Sequence, residues 1–217
     1  MIYRFCKRLT DIVISLIAIV VFGPLMLALA ALIKLGSPGP VFYRGERAGK
    51  SGTTFRILKF RSMVVDAERK GGFSTAIDDP RLTPIGRFLR KYKLDELPQF
   101  FNVLFGDMSL VGPRPQVLYY TSQYTGDELL ILTVRPGITD LASLYFVDMD
   151  AVLGAGDVDA RYQAEIEPVK NQLRMRYVRE QSYLLDLRIL VETAFKLVGI
   201  DNVTGLNVSP KGSGVNG

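Results

Sequence analysis

Residues 12–33 are 22 consecutive positions without a formal charge, and only Ser15, Gly23 and Pro24 interrupt Ile, Val, Leu, Ala, Met and Phe. As one helix this run extends roughly 33 Å, enough for a hydrocarbon core of about 30 Å. Whatever the chain becomes, it must bury or immerse that segment. A signal peptide fits worse, because the stretch is long and no small-residue cleavage site follows it before Lys34. Pro24, behind Gly23, falls near the middle, where a proline removes a backbone hydrogen bond and clashes with the preceding turn, so a break is expected there. Arg4, Lys7 and Arg8 precede the run, and Lys34, Arg44, Arg47 and Lys50 follow it. Cationic flanks on both sides oppose the asymmetry of a segment with one translocated end. The reading is a re-entrant helix-break-helix hairpin over residues 1–35 that leaves both ends in the cytoplasm. A kinked single span is the alternative.

The whole chain, 217 residues of which 48% are hydrophobic, suffices for one domain with a real core beside that segment. There is no His and one Cys, Cys6, so His-based triads, His or Cys zinc sites and intrachain disulfides are excluded. Chemistry falls to carboxylates, Arg, Lys, hydroxyls, backbone and a hard cation. The net charge of +5 is unevenly spread: residues 1–102 carry 17 Lys and Arg against 8 Asp and Glu, and residues 103–217 carry 10 against 14. A basic first half calls for an anionic partner, and the apolar run favours a membrane surface or a phosphorylated substrate over nucleic acid.

After the turn cluster Gly36-Ser37-Pro38-Gly39-Pro40, residues 41–44 and 53–63 are predicted as short strands around a Gly-rich turn. Over 85–93, Ile85, Phe88, Leu89 and Tyr92 fall at helical spacing opposite Arg87, Arg90, Lys91 and Lys93. That is a basic amphipathic helix suited to a headgroup layer, or an ordinary surface helix over a core. In Leu94-Asp95-Glu96-Leu97-Pro98-Gln99 an Asp N-cap followed by a first-turn Pro predicts a helix to about Phe105, with Asp95 and Glu96 at its positive end; plain capping is the alternative role. Gly112-Pro113-Arg114-Pro115 and Arg135-Pro136-Gly137 restrain an Arg beside proline, as phosphate recognition by a guanidinium would require, although a rigid loop with a solvated Arg has the same sequence. Residues 163–198 are long helical material for packing, and the Gly-, Ser- and Asn-rich end 205–217 is expected to fray.

Three patterns are set aside. Gly45-Glu46-Arg47-Ala48-Gly49-Lys50-Ser51 is one residue short of a phosphate-binding loop. Asp148-Met149-Asp150 and Asp157-Val158-Asp159 lack a preceding nucleotide-binding βα unit and are taken as solvated loop charges.

Lys59-Phe60-Arg61-Ser62-Met63, the block from Leu94 to Pro115, and Arg135-Pro136-Gly137-Ile138-Thr139 resemble the bacterial sugar transferase family, in particular its small monotopic phosphoglycosyl transferases. The resemblance runs to about residue 198. It implies a re-entrant anchor and an α+β, mainly helical catalytic domain (36–204) with interfacial helices and a small β element, followed by the tail. It implies transfer of a sugar 1-phosphate from a UDP-sugar to polyprenol phosphate with Mg²⁺, releasing UMP, at the cytoplasmic face of the bacterial inner membrane. Its partners would be those substrates, the membrane lipids and downstream glycosyltransferases, and no nucleic acid. Asp95 matches the family nucleophile and a metal ligand, and Glu96 its partner carboxylate. Arg90, Arg114 and Arg135 match cationic positions assigned to phosphate, as does Lys59. Where many members continue Arg-Pro-Gly-Ile-Thr with Gly-Trp-Ala-Gln, this chain has Asp140-Leu141-Ala142-Ser143, so the sugar does not carry over. Competing readings are a membrane nucleotide-sugar hydrolase or phosphatase, and a membrane-tethered adaptor or nucleic-acid binder using the basic half.

Overall fold

The computed structural model describes residues 2–67, 79–146 and 161–209. Over these residues the chain is mainly helical with three small two-stranded sheets, in line with the α+β expectation. The acidic motifs at 148–150 and 157–159 lie outside the described residues, as does the tail beyond 209.

Helix α1 spans Ile2–Gly36 without interruption, with Pro24 inside it. The expected break is thus not a gap in helical structure. A proline removes one backbone hydrogen bond, and the turns on either side of Pro24 keep theirs, so the helix runs on. Along one stripe Asp11, Ser15, Ala18, Met26, Leu29 and Ile33 are buried, while Ile17, Val20, Val21, Leu27 and Leu32 are exposed. The stripe lies on the rest of the molecule at both ends. Near the N-terminus, the Arg8 guanidinium donates to the carbonyls of Val103 (2.7 Å) and Leu104 (2.9 Å), and Lys7 Nζ donates to Val111 O (2.8 Å) and pairs with Asp186 at 2.9 Å. Asp11 accepts from Ser109 Oγ and the Leu110 N–H. Near the C-terminus, Met26, Leu29 and Ile33 join Phe60 and Leu89 in an apolar cluster.

Strands β1 (Phe42–Tyr43) and β4 (Lys59–Phe60) pair antiparallel, as do β2 (Glu46–Ala48) and β3 (Thr54–Arg56) between them, so the predicted strands 41–44 and 53–63 do pair, but 53–63 splits in two and part of the expected turn is itself a strand, β2. The segment resembling a phosphate loop is β2 and the start of a three-residue 3₁₀ turn, Lys50–Gly52, which leads into β3 rather than into an α-helix. Helix α2, Pro84–Lys91, starts at Thr83, whose hydroxyl accepts the Gly86 N–H at 3.0 Å. A Cβ on Gly86 would come within 1.8 Å of Ser62 O, so α2 lies hard against the chain leaving β4. It buries Ile85 and Leu89 on the α1 cluster, whereas Phe88 and Tyr92 face outward, which splits the apolar face read from spacing. Truncating fully buried Leu89 would cost about 2–5 kcal/mol.

Helix α3 is Gln99–Phe105, closed by Gly106 in the left-handed region. It begins later than predicted, because Leu94–Glu96 forms its own 3₁₀ turn entered through Lys93 at φ 57°. That turn uses the Glu96 and Leu97 N–H groups on Lys93 O and Leu94 O, so Asp95 is not the cap of α3. Leu94, Leu97 and Phe101 pack on the α1 cluster, while Phe100 and Val103 pack on the second core. The acidic pair is therefore wedged between the α1 cluster and the main core.

β5 (Ser109–Val111) and β6 (Gly137–Thr139) form a parallel pair that sequence reading missed. Between them lie the short helix α4 (Leu118–Thr121) and a 3₁₀ stretch, Gly126–Thr133; α5 (Leu141–Tyr145) follows β6. The helical run after Arg161 is a π-helical turn (Tyr162–Ile166), α6 (Glu167–Glu180) and α7 (Tyr183–Lys196). Ser182 separates the last two and caps α7 by accepting the Leu185 N–H. Leu173 and Tyr177 of α6, Ile189 of α7, Leu141 and Leu144 of α5 and Val111 of β5 build the main core. Leu206 and Val208 pack against this core.

Candidate active site

A cavity of about 480 Å³ opens between the Leu94–Glu96 turn and the wall formed by α5, α6 and α7. Its lining includes Lys59, Arg90, Asp95, Glu96 and Arg114, five of the six residues singled out from sequence. The sixth, Arg135, stands apart. Its exposed guanidinium Nε donates to Gly106 O at 2.8 Å, behind the C-terminus of α3, and it does not line the cavity.

Lys59, Phe60 and Arg61 divide three tasks. Phe60 is buried in the α1 cluster, Arg61 donates to the Ser37 carbonyl (2.9 Å) just past the end of α1, and Lys59 Nζ reaches Glu96 Oε1 at 2.9 Å. Asn102 fixes the approach to Lys59 by accepting the Leu58 N–H (2.8 Å) and donating to Arg56 O (3.0 Å). Arg90 comes from the last turn of α2.

Arg114 is restrained along its whole length. Its backbone N–H donates to Asp140 Oδ2 (2.9 Å), one guanidinium nitrogen donates to Ile138 O (3.0 Å), and the other pairs with Glu96 Oε1. The loop carrying it is placed by β5 and β6: Gly112 N–H bonds Thr139 O (3.0 Å) and Gly137 N–H bonds Pro113 O (3.0 Å). The two proline-flanked arginines thus belong to adjacent strand ends, but only one faces the cavity.

The two carboxylates differ. Glu96 is 16% exposed at its side chain. Burial opposes its ionisation, yet the Arg114 and Lys59 cations outweigh that cost and hold it well below the usual carboxylate range. Asp95, 6% exposed, makes no hydrogen bond through its carboxylate among the described residues. Burial pushes it above the usual range, and the Glu96 charge adds to this, while Lys59, Arg90 and Arg114 pull it down. One carboxylate is neutralised by fixed partners, and its neighbour is left available.

Among the described residues there is no cluster of three or more His, Cys, Asp or Glu to cage a metal. Mg²⁺ is commonly held by one or two carboxylates plus substrate phosphates and waters. Asp95 and the second oxygen of Glu96, which takes neither the Lys59 nor the Arg114 contact, are the donor set that fits it.

Sequence reading missed the opposite wall. In α6, Glu167, Lys170, Asn171 and Arg174 recur at one-turn spacing and are all buried. Glu167 accepts from Gln116 Nε2 (2.8 Å) and pairs with Arg174 (3.1 Å), and Lys170 Nζ lies 5.0 Å from the Tyr162 ring centre and 5.6 Å from that of Phe146. The available signal was a polar stripe in phase with Leu173 and Tyr177. Asp140 and Ser143, in the segment that departs from the family pattern, also line the cavity.

A model of the family described as bacterial sugar transferase matches residues 2–199. The chain belongs to the bacterial sugar transferase family. As a bacterial sugar transferase it is 42% identical to a UDP-N-acetylgalactosamine-undecaprenyl-phosphate N-acetylgalactosaminephosphotransferase of Aeromonas hydrophila, over 88% of this chain and 43% of that protein. It is 39% identical to a UDP-glucose:undecaprenyl-phosphate glucose-1-phosphate transferase of Klebsiella pneumoniae, over 88% of this chain and 39% of that protein. It is also 39% identical to the exopolysaccharide production protein PSS of Rhizobium leguminosarum bv. phaseoli, over 86% of this chain and 92% of that protein. The chain spans about two fifths of the length of the first two relatives. For a bacterial sugar transferase, the matched region contains the whole cavity wall described above.

Proposed function

We propose that this chain is a phosphoglycosyl transferase that moves a sugar 1-phosphate from a UDP-sugar to polyprenol phosphate. It releases UMP and forms a polyprenyl diphosphate-linked sugar, the substrate for downstream glycosyltransferases. The observation that carries this reading is the unequal acidic pair: Asp95 unengaged on a cationic cavity wall, beside a Glu96 already neutralised by Lys59 and Arg114.

In the first half-reaction an Asp95 carboxylate oxygen attacks the β-phosphorus. The bond from that phosphorus to the bridging oxygen breaks, and its electron pair leaves on UMP. In the second, a phosphate oxygen of polyprenol phosphate attacks the same phosphorus and the Asp95–phosphorus bond breaks, restoring the carboxylate. Arg90 and Arg114 face the charge that collects on the phosphoryl oxygens, and Glu96 holds Lys59 and Arg114 in place for it. Mg²⁺, when bound at Asp95 and Glu96, supplies further neutralisation of the diphosphate. The acceptor is already ionised, so no general base is needed.

The anchor is read as re-entrant, with the catalytic domain on the cytoplasmic face of the inner membrane. Support comes from α1 gripping the same domain at residues 7–11 and again at 26–33, which a helix crossing to the far side could not do while its domain stayed on one face. The exposed apolar side of α1 is then the lipid-facing side.

The test is to incubate the protein in nanodiscs with a UDP-sugar panel and no acceptor, and to read intact mass. One sugar phosphate adduct is expected, lost in Asp95→Asn and discharged by undecaprenyl phosphate. UMP release that needs no acceptor and continues past one equivalent would favour the hydrolase, and an adduct on Asp95→Asn would remove Asp95 as nucleophile.

A further inference from the structure

Three polar atoms on the α5–α6 wall of the cavity have no hydrogen-bond partner among the described residues. Ser143 Oγ and Arg174 Nε are fully enclosed and unpaired. Lys170, 6% exposed, holds its Nζ over the rings of Phe146 and Tyr162 and makes no hydrogen bond among the described residues. All three residues line the cavity, on two different elements. Buried polar groups are ordinarily paired, and buried charges more so, so three unpaired groups at one wall mark a place where a ligand supplies the partners. All three can donate. The other contacts of Arg174 run to Glu167 and Asn171 through Nη1, so Nε and Nη2 are the positions left over.

We propose that Ser143, Lys170 and Arg174 form a subsite for a phosphate monoester dianion, separate from the Asp95–Glu96 turn. Three donor side chains on one cavity wall, from two helices, suit the terminal oxygens of a phosphate better than the two of a carboxylate. The proposal rests on the transferase reading, in which the same group occurs twice: on the departing nucleoside monophosphate and on the arriving lipid phosphate.

The charges facing Lys170 are Arg174 and Glu167 on α6, Arg114 on the β5 loop and Asp140 at the start of α5. Burial, then Arg174 and Arg114, push the lysine down to about 7, against the pull of Glu167 and Asp140. A dianion beside it restores its charge. Binding above neutral pH therefore takes up a proton, and affinity falls as pH rises from about 7 toward the ordinary lysine value of about 10.

The experiment is titration calorimetry of the full chain in nanodiscs at pH 8, in two buffers of different ionisation enthalpy. The ligands are UMP and, in a separate arm, farnesyl phosphate. UMP is expected to bind with uptake approaching one proton. Lys170→Met should abolish the uptake and weaken UMP at pH 7 by about tenfold or more. Lys170→Arg should keep binding, show no uptake and lose the pH dependence between 7 and 9. Uptake with UMP alone assigns the subsite to the leaving nucleotide, and uptake with both ligands assigns it to each phosphate in turn. UMP binding without uptake, or unchanged uptake and affinity in Lys170→Met, overturns the subsite. A wild-type protein that binds neither ligand overturns the transferase reading as well.

Discussion

Gly112 and Gly137 meet across the parallel β5–β6 pair so closely that a Cβ on Gly137 would lie 2.1 Å from Gly112 N, and one on Gly112 would lie 2.4 Å from Arg135 O. These obstacles are backbone, which cannot swing aside. The contact is what allows Gly137 N–H to bond Pro113 O and so sets the loop that presents Arg114. Gly137→Ala is expected to destabilise the fold by about 1–3 kcal/mol and to remove transfer activity. Thermal melting and UMP release measure the two effects, and wild-type values for both would contradict this geometry.

Asp140 serves two backbone donors with two oxygens: Oδ2 takes the Arg114 N–H at 2.9 Å and Oδ1 the Ser143 N–H at 2.6 Å. An amide has one acceptor oxygen, so Asp140→Asn must leave one N–H facing an NH₂ group. A stability loss of about 1–3 kcal/mol is expected in denaturant titration, with reduced kcat because Arg114 loses its backbone restraint.

Arg114→Lys and Arg135→Ala should separate cleanly. A lysine cannot reach Glu96 and Ile138 O together, so kcat/KM should fall roughly ten- to hundredfold. Arg135 makes one exposed hydrogen bond away from the cavity, and its loss should change kcat/KM by about twofold or less. Equal losses would return Arg135 to the site.

Glu192 anchors the C-terminal segment by accepting the Thr204 N–H (3.0 Å) and hydroxyl (2.8 Å). The Thr204 N–H is the main reason its carboxyl lies below the ordinary range, against a smaller opposing effect of burial. A group with a depressed folded pKa stabilises fully above its unfolded value of about 4.3, and that stabilisation is lost as pH falls through the folded value. Hydrogen exchange at residues 204–209 should therefore accelerate below about pH 4.3, and Glu192→Gln should show fast exchange already at pH 7.

In a Cys6→Ser background, single cysteines at Ile2 and Gly36 should both react with an impermeant maleimide from the cytoplasmic side, in inverted vesicles. Labelling of position 2 from the periplasmic side alone would establish a single span and remove the re-entrant anchor.

Read as a string, the chain determines the long apolar helix, the absence of His chemistry and of disulfides, and the Asp95-Glu96 and Arg114 motifs, because these depend on composition and on neighbours a few residues away. The re-entrant reading rests on Gly23-Pro24 and on the flanking charges together, and nothing around Pro24 in the sequence shows that α1 stays continuous. Tertiary structure decided which of two similar Arg-Pro segments faces the cavity, since that follows from strand pairing between residues 109–111 and 137–139. It also decided that the start of α3 lies beyond the acidic pair, through the 3₁₀ turn entered at Lys93. The α6 wall was illegible for a further reason: Glu167, Lys170, Asn171 and Arg174 look like a solvated face until α5 and the Tyr162 turn enclose them, and burial of a charge is a property of its neighbours rather than of its own residue type.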